Sequence, residues 1–279
     1  MKRTFHKIWL TITVLFSGMA FCSLSMAQEV IWEHTMLNVT NGLTHDAIRS
    51  IFQDSEGYMW FGTENGLSRY DGYRFRNYTA DFSDKNKLSD GWVNAIVEDN
   101  NGILWIGTSA GLHKFDKKTE VFTNYLFNEQ DSSGSGQNAI IDLLIGPDNN
   151  IWLGSSADGL VKFDRSTEKF TIYPLEKSSD NWVNEIELDD MNNIWASYGE
   201  GMLVSFNIPT EKITYYEEGQ KGLRKSNFFY TIRFNHHQLY YTFDNGLGVY
   251  NSVRDSFEIL PNKGGTEIFR NDFINYLLF

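Results

Sequence analysis

Three stretches of the chain repeat one phrase: WFGTENGLSRYD at residues 60–71, WIGTSAGLHKFD at 105–116 and WLGSSADGLVKFD at 152–164. The aromatic residue that opens the phrase recurs in steps of 45, 47, 43 and 45 residues, at Trp60, Trp105, Trp152, Trp195 and, as a tyrosine, Tyr240. Repeats of this length are typical of propeller blades or of helical arrays. The phrase therefore belongs to a repeated structural unit.

Each unit contains four short runs rich in β-branched and aromatic residues, separated by turn residues. In the second unit we predict strands at 93–97, 103–106, 112–115 and 121–125. None of these runs is long enough for an amphipathic helix. Four antiparallel strands per repeat predict an all-β fold, a β-propeller. We expect about five complete four-stranded blades and the start of a sixth at 271–279, in an open or incomplete propeller.

The repeated phrase is predicted to form the packed interior of the blades. When sheets stack face to face, their second strands are covered on both sides and read as continuous apolar runs, as at 103–106. A glycine follows soon after each leading tryptophan, at Gly62, Gly107 and Gly154. We expect the neighbouring blade to approach the backbone closely at these glycines.

The first 27 residues differ from the rest of the chain. Three basic residues among the first seven precede an uncharged apolar run at 8–24, which Ser25-Met26-Ala27 follows. This order predicts a signal peptide over 1–27 and export to the periplasm, with 28–279 as the N-terminal part of the propeller domain. A membrane anchor is the alternative, because the run approaches the ~20 residues that cross a bilayer. The only cysteine, Cys22, would leave with the signal, so no disulfide is expected.

The charge of the exported part excludes one class of partner. Without the first 27 residues the chain carries 21 basic and 36 acidic residues, a net charge of −15. Such a surface repels polyanions. We therefore expect no nucleic acid as partner, and the same argument applies more weakly to heavily sulfated glycans.

Residue types that carry chemistry are few and scattered. Asp54, Asp99 and Asp189 each precede a turn, where capping of backbone amides is expected. His236 and His237 are neighbours, and on a strand they would point to opposite faces and share no ion. We predict no catalytic residue, no metal and no cofactor, although a glycosidase pair of carboxylates converging from different blades stays open.

The predicted blades give the molecule two different faces. The loops between second and third strands and the connections between blades emerge on one face, here called the loop face. The connections at 79–91, 126–137, 174–181 and 217–226 are long and unlike each other. Variable loops on a rigid scaffold are where recognition usually lies, so we expect the ligand site on the loop face.

Two tryptophans on that face are the leading candidates for ligand contact. Trp92 and Trp182 occupy the same position before a first strand, two blades apart, and are predicted to stack on sugar rings. Polar contacts are expected from the second-to-third loops: Glu64, Asn65, Asp158, Tyr198, Glu200 and Asn245. The alternative is that both tryptophans are wedged between blades.

The first unit resembles the two-component regulator propeller repeat. The resemblance rests on NGLT at 41–44, IRSIFQDSEG at 48–57, WFGT at 60–63, NGL at 65–67 and RYDG at 69–72. It weakens later in the chain, where Gly146 takes the place of Asp54 and the fifth unit loses its tryptophan.

This resemblance implies the periplasmic sensor half of a Bacteroidetes hybrid two-component system. In that family two seven-bladed propellers precede an immunoglobulin-like domain, a membrane helix, a histidine kinase, a receiver and a DNA-binding domain. The family implies recognition of an oligosaccharide, control of polysaccharide-utilisation genes and a homodimer of the full-length sensor.

None of the downstream modules lies within the 279 residues. We therefore expect an N-terminal piece of a longer protein, itself without enzymatic activity and attached to the membrane through downstream regions. The alternatives are an envelope scaffold similar to the propeller component of the Bacteroidetes secretion apparatus, and a propeller lyase or glycosidase.

Overall fold

The computed structural model describes residues 36–81, 83–128, 138–175, 181–198, 201–224, 226, 229–243 and 246–260. The chain divides after Met36 into two units, and every strand among the described residues lies in the second unit. The predicted signal peptide, the segment at 30–34, whose sequence resembles an outermost strand, and the predicted start of a sixth blade at 271–279 lie outside the described residues.

Within the described residues, twenty strands form five antiparallel sheets of four strands each. A single 3-10 turn at Val39–Asn41 precedes them and another, Gln220–Gly222, leads into the fifth sheet. Blade 1 contains β1 Ile48–Gln53, β2 Met59–Thr63, β3 Gly66–Tyr70 and β4 Phe75–Tyr78. Blade 2 contains β5 Val93–Glu98, β6 Ile103–Thr108, β7 Gly111–Asp116 and β8 Val121–Tyr125. Blade 3 contains β9 Ile140–Ile145, β10 Ile151–Ser155, β11 Leu160–Asp164 and β12 Lys169–Tyr173. Blade 4 contains β13 Val183–Leu188, β14 Asn193–Tyr198, β15 Met202–Asn207 and β16 Lys212–Tyr216, and blade 5 contains β17 Phe229–Asn235, β18 Gln238–Phe243, β19 Gly246–Asn251 and β20 Ser256–Ile259.

The strands of every blade pair in chain order, so the first strand is innermost and the fourth is outermost. The innermost strands of successive blades are neighbours, from β1 through β5, β9 and β13 to β17. Within the described residues the ring of blades is not closed. The predicted all-β propeller of five four-stranded blades is confirmed.

The repeated tryptophan is the centre of each interface between blades. The Trp105 ring stacks on Tyr125 of its own blade, with centroids 6.3 Å apart, and lies 5.5 Å from Phe163 of blade 3. Trp60, Trp152 and Trp195 make the equivalent pair of contacts. All four are buried, as predicted for second strands covered on both faces.

The glycine near each tryptophan allows the next blade to come close. A Cβ added at Gly107 would lie 2.6 Å from Cγ2 of Ile140, the first residue of β9. The same test gives 2.7 Å between Gly62 and Val93 and between Gly154 and Val183. The expected close approach of blades at these positions is confirmed.

The aspartate before the first turn caps backbone amides and also binds the tryptophan. Asp99 Oδ1 accepts hydrogen bonds from the backbone N–H groups of Asn101 and Ile103, at 2.8 and 3.1 Å. Its Oδ2 accepts one from the Trp105 indole at 3.0 Å. Asp54 and Asp189 repeat this arrangement. The capping was predicted, and the indole bond is an additional link between turn and core.

His236 and His237 form the turn between β17 and β18 rather than part of a strand. Their φ angles of 47° and 63° are left-handed, which suits a two-residue hairpin turn with right-handed strand twist. The assumption that they lie on a strand is wrong. Among the described residues, no group of three or more His, Cys, Asp or Glu side chains is placed to hold a metal ion.

Candidate ligand site

Backbone hydrogen bonds bring the second-to-third loops and the blade connections together on the loop face. Gly66 N–H donates to the Gly91 carbonyl at 2.7 Å, and Ser109 N–H donates to the Trp92 carbonyl at 3.1 Å. In blade 3 Gly159 N–H donates to the Asn181 carbonyl at 3.1 Å. These bonds fix the loops to the blades. The second-to-third loops and the blade connections therefore share one face, as predicted.

Trp92 lies at this face and is about half exposed, at 45%. Asp90 Oδ1 accepts a hydrogen bond from the Trp92 backbone N–H at 2.9 Å, which fixes the turn before β5. The guanidinium of Arg49 in blade 1 lies 4.8 Å from the indole centroid. Arg49 in turn forms a 2.6 Å ion pair with Glu64. Trp92 is thus supported by the preceding blade while much of its ring remains at the surface.

Trp182 has the same exposure, 45%, and lines a cavity along the propeller axis. The cavity has a volume of about 850 Å³, within the ~300–1,000 Å³ typical of ligand pockets. All five innermost strands, β1, β5, β9, β13 and β17, contribute to its wall. Arg49 also lines it, so the cavity connects the surroundings of the two tryptophans.

Side chains in the cavity wall join the innermost strands of neighbouring blades. Asn94 donates to the Ile140 carbonyl at 2.8 Å, linking β5 to β9. Asp142 Oδ2 accepts from Ile186 N–H at 2.9 Å, linking β9 to β13. Glu185 and Glu187 accept from the N–H groups of Ile232 and Phe234, at 2.7 and 3.1 Å, linking β13 to β17.

Burial shifts the titration of these carboxyls. Burial, with the nearby negative charge of Glu185, raises the pKa of Asp142 to about 7. Burial also raises the pKa of Glu185 and of Glu187, although the guanidinium of Arg233 opposes the rise. Arg233 contacts Glu185 directly and lies 3.7 Å from Glu187. This part of the cavity wall therefore holds a cluster of three carboxyls and one guanidinium.

The other predicted contact residues divide into three groups. Asn65 is exposed at the tip of its loop, and Glu64 and Asp158 are half-buried. Tyr198 is fully buried and its hydroxyl donates to the carbonyl of Leu175 in the connection between blades 3 and 4, so the ring lies beneath the loop face and is not exposed on it. Glu200 and Asn245 lie outside the described residues.

Sequence reasoning did not identify the cavity wall as part of the site. Its polar residues, among them Arg49, Asn184, Glu187 and Arg233, lie on innermost strands. A usable signal was present, because Asn94 and Asn184 both stand two residues after the paired tryptophans.

The described residues contain no helix that is long and apolar enough to cross a bilayer.

Solved structures similar to this chain share its propeller fold. One is the extracellular domain of a protein assigned to a hybrid two-component system from B. thetaiotaomicron, with 22% identity and a TM-score of 0.67, over 80% of this chain and 31% of that chain. A second is the extracellular domain of a protein assigned to a one-component system from the same organism, with 21% identity and a TM-score of 0.65, over 79% and 30%. A third is a catalytically inactive virginiamycin B lyase from Staphylococcus aureus with quinupristin, with 16% identity and a TM-score of 0.66, over 85% and 76%.

These identities are low, so the likeness concerns the fold. The chain spans about a third of the length of the two B. thetaiotaomicron domains, 31% and 30%. No curated protein matches the sequence. The family model for the two-component regulator propeller matches residues 42–65 and 87–110, which contain β1, β2, β5 and β6. The chain thus carries two-component regulator propeller repeats in its first two blades, and the resemblance drawn from its sequence is confirmed.

Proposed function

We propose that this chain is the ligand-sensing propeller of a periplasmic hybrid two-component sensor, and that it binds an oligosaccharide at the loop-face opening of the axial cavity. The observation that carries the proposal is a cavity of about 850 Å³ that is lined by half-exposed Trp182 and by Arg49, whose guanidinium lies 4.8 Å from the ring of half-exposed Trp92. The two-component regulator propeller repeats support the sensor role.

The side chains at the cavity suit a neutral sugar chain. Indole rings stack on the apolar faces of sugar rings, and a half-exposed tryptophan offers such a surface in the folded chain without any rearrangement of the blades. Asn184 and Glu187 lie in the wall, where an amide and a carboxyl can bond to sugar hydroxyls. Arg49 is paired with Glu64, and Arg233 with Glu185, so no unpaired guanidinium attracts an anionic sugar.

In a full-length sensor, binding at this site would be transmitted through the membrane to a histidine kinase and would control polysaccharide-utilisation genes. The chain itself would have no catalytic role. A propeller fold alone does not decide this point, because the fold is shared with a lyase. An assay of the purified chain for cleavage of the polysaccharides under test separates a sensor from a lyase or glycosidase.

The binding site is tested with the variants Trp92→Ala and Trp182→Ala. The chain is titrated by calorimetry with a panel of neutral oligosaccharides, and each variant is melted in parallel. We expect each substitution to weaken binding by ~1–3 kcal/mol while the melting temperature changes little, because both rings are surface anchors.

Trp105→Ala is the matched control, since Trp105 is buried between blades 2 and 3. We expect it to lower the free energy of unfolding by ~3–5 kcal/mol, as for other core aromatics. Equal thermal destabilisation by Trp92→Ala, Trp182→Ala and Trp105→Ala, with affinity of the folded fraction unchanged, would show that the two surface tryptophans are structural. An interaction scaffold would bind envelope proteins and none of the sugars.

A further inference from the structure

A second cavity, of about 260 Å³, lies between blades 4 and 5. Its wall includes Asp189, at the end of the first strand of blade 4, and Ser252, in the turn between the third and fourth strands of blade 5. Both turns belong to the face opposite the loop face. This interblade pocket is therefore separate from the axial cavity and independent of the proposed sugar site.

In two other interfaces the corresponding space holds a basic side chain. Lys117, which follows β7, places its ammonium 3.1 Å from Oδ2 of Asp54 in blade 1. Arg165, which follows β11, places its guanidinium against Oδ2 of Asp99 in blade 2. The residue that follows β19 in the same way is Ser252, after Tyr250 and Asn251. Blade 5 thus supplies a small neutral side chain where blades 2 and 3 supply a cation.

A second basic residue is also replaced in blade 4. The third-strand residue paired with the repeated tryptophan is Arg69 for Trp60, Lys114 for Trp105 and Lys162 for Trp152. The charged ends of these side chains lie 5.7–6.0 Å from the indole centroids. The residue paired with Trp195 is Ser205. The Trp195 indole therefore lacks both of the cations that Trp105 has.

The negative charge beside the pocket is nevertheless retained. Asp189 is 8% exposed, and its carboxylate accepts hydrogen bonds from the Trp195 indole and the Asn193 side-chain amide, at 2.9 and 2.8 Å. It also accepts from the backbone N–H groups of Met191 and Asn193. Within the described part of the chain, no Lys or Arg lies within ion-pair distance of Asp189.

The interface between blades 3 and 4 lacks both the aspartate of the first turn and the basic residue that follows the third strand of the next blade. There Gly146 stands in place of the aspartate, and Ile208, which follows β15, packs against the apolar core of blade 4. The aspartate of this turn position and the cation after the third strand are lost together, as expected when an unpaired buried charge is costly, while Lys162 over the Trp152 indole pairs with Asp148 at 3.3 Å. Blade 4 differs because its carboxylate remains, while the described residues supply no cation to pair with it.

We propose that the interblade pocket binds a compact organic cation, an alkylguanidinium or alkylammonium group, over the Trp195 indole and beside Asp189. A cation over an indole is favoured electrostatically, and more so when it is desolvated. Its attraction to a largely buried carboxylate exceeds that in bulk water. The volume of about 260 Å³ is just below the ~300 Å³ of sites for drug-sized molecules, which suits a small ligand. Tyr216 and Tyr250 pack against the Trp195 ring, as Tyr125 and Phe163 do at Trp105, and Lys212 lines the rim of the pocket without forming an ion pair with Asp189.

The test follows the indole N–H resonances of the full 279-residue chain by NMR during titration with n-butylguanidinium. The neutral isostere n-butylurea is the ligand control. Trp105 is the internal control, because Lys114 and Arg165 of the chain already lie near its ring. We expect the Trp195 resonance to shift saturably with n-butylguanidinium only, and the Trp105 resonance to stay in place.

Two variants connect the response to the pocket. Ser252→Arg supplies the cation that blade 3 has, so it should raise the melting temperature and abolish the Trp195 shift. Asp189→Asn keeps an oxygen acceptor but removes the charge, so it should weaken binding about tenfold or more. The proposal is overturned if Trp195 does not shift saturably, if it shifts together with Trp105, or if folded Ser252→Arg responds as the unsubstituted chain does.

Discussion

Replacing Lys117 with methionine tests how the blades are fastened at the face opposite the loop face. The Lys117 side chain is 6% exposed and joins two buried carboxylates, Asp54 of blade 1 at 3.1 Å and Glu98 of blade 2 at 2.7 Å, besides the exposed Glu56 at 3.4 Å. Those two side chains are 0% and 8% exposed. Methionine keeps most of the apolar stem, so Lys117→Met removes the charge with little change in packed volume.

The expected loss in unfolding free energy follows from the two buried carboxylates that Lys117→Met leaves without a cation. Removing one partner of a buried ion pair leaves an uncompensated charge and typically costs ~3–5 kcal/mol. In Lys117→Met two buried carboxylates lose the same ammonium, so we expect a loss in this range. For a domain of this size the melting temperature should fall by about 10 °C.

Lys87→Met is the matched control in the same chain. Lys87 pairs with Asp81 at 3.1 Å, the same distance as Lys117 to Asp54, but its side chain is 53% exposed. Exposed pairs contribute ~0–1 kcal/mol, so Lys87→Met should be nearly neutral. Denaturant unfolding of both variants at neutral pH measures the difference.

The pH dependence gives an independent check. Burial alone would raise the pKa of Asp54 and of Glu98, but hydrogen bonds, including those from Lys117, hold both below their ordinary values. A lowered carboxyl pKa stabilises the fold above the unfolded-state value and loses that effect as the pH falls. Without Lys117 the pKa values should rise, so the loss in Lys117→Met should be largest at neutral pH and shrink toward pH ~4. A cost no greater than that of Lys87→Met, or one that does not vary with pH, would show that this ion pair does not hold the blades together.

Two further substitutions test the axis and the blade contacts. The raised pKa of Asp142, about 7, means that the folded chain binds a proton more tightly than the unfolded chain, so its contribution to stability is present at low pH and is lost as the pH rises through 7. Asp142→Asn should therefore flatten the decline in unfolding free energy between pH ~5 and ~8, and an unchanged slope in denaturant melts would contradict this assignment. Gly107→Ala should cost ~1–3 kcal/mol because the new Cβ would lie 2.6 Å from Ile140 Cγ2, whereas Gly91→Ala, with its nearest neighbour at 3.5 Å, should cost much less. Thermal melts of the two alanine variants that coincide would refute the close-approach argument.

The blades were predictable because their determinants are local and repeated. A second strand that is covered by a sheet on both faces needs a continuous apolar run, and Trp105-Ile106 is part of such a run in blade 2. Gly107 is required because one neighbouring residue, Ile140, lies too close for a side chain. Ile140 is the first residue of the next blade, and the repeat places a residue at this position in each blade. Fold and interface thus follow from the period of the sequence and the burial pattern of one unit.

The site was less predictable because it depends on long side chains that reach between blades. Glu185 and Arg233 meet across two innermost strands, 48 residues apart in sequence. Nothing in the local sequence around either residue specifies that meeting. Tyr198 shows the converse problem, since its place at the end of β14 suggested a loop contact, yet its hydroxyl turns inward to the Leu175 carbonyl.

The fastening of the blades changes along the chain in a way that connects stability to the proposed ligand site. Blades 1, 2 and 3 are joined at the face opposite the loop face by Lys117 and Arg165, each bound to an aspartate of the preceding blade. Blades 3, 4 and 5 are joined at the axis by carboxyls of Asp142, Glu185 and Glu187 that accept backbone hydrogen bonds from the next blade. The axial link between blades 2 and 3 is a neutral one, from the Asn94 amide. These carboxyls also line the axial cavity. A ligand hydroxyl that bonds to Glu187 would therefore compete with, or reinforce, the bond from Phe234 N–H that holds blade 5 against blade 4. Ligand occupancy and the spacing of these two blades would then depend on the same carboxylate, whereas the Lys117 and Arg165 contacts of blades 1 to 3 lie at the opposite face and are not part of the cavity lining.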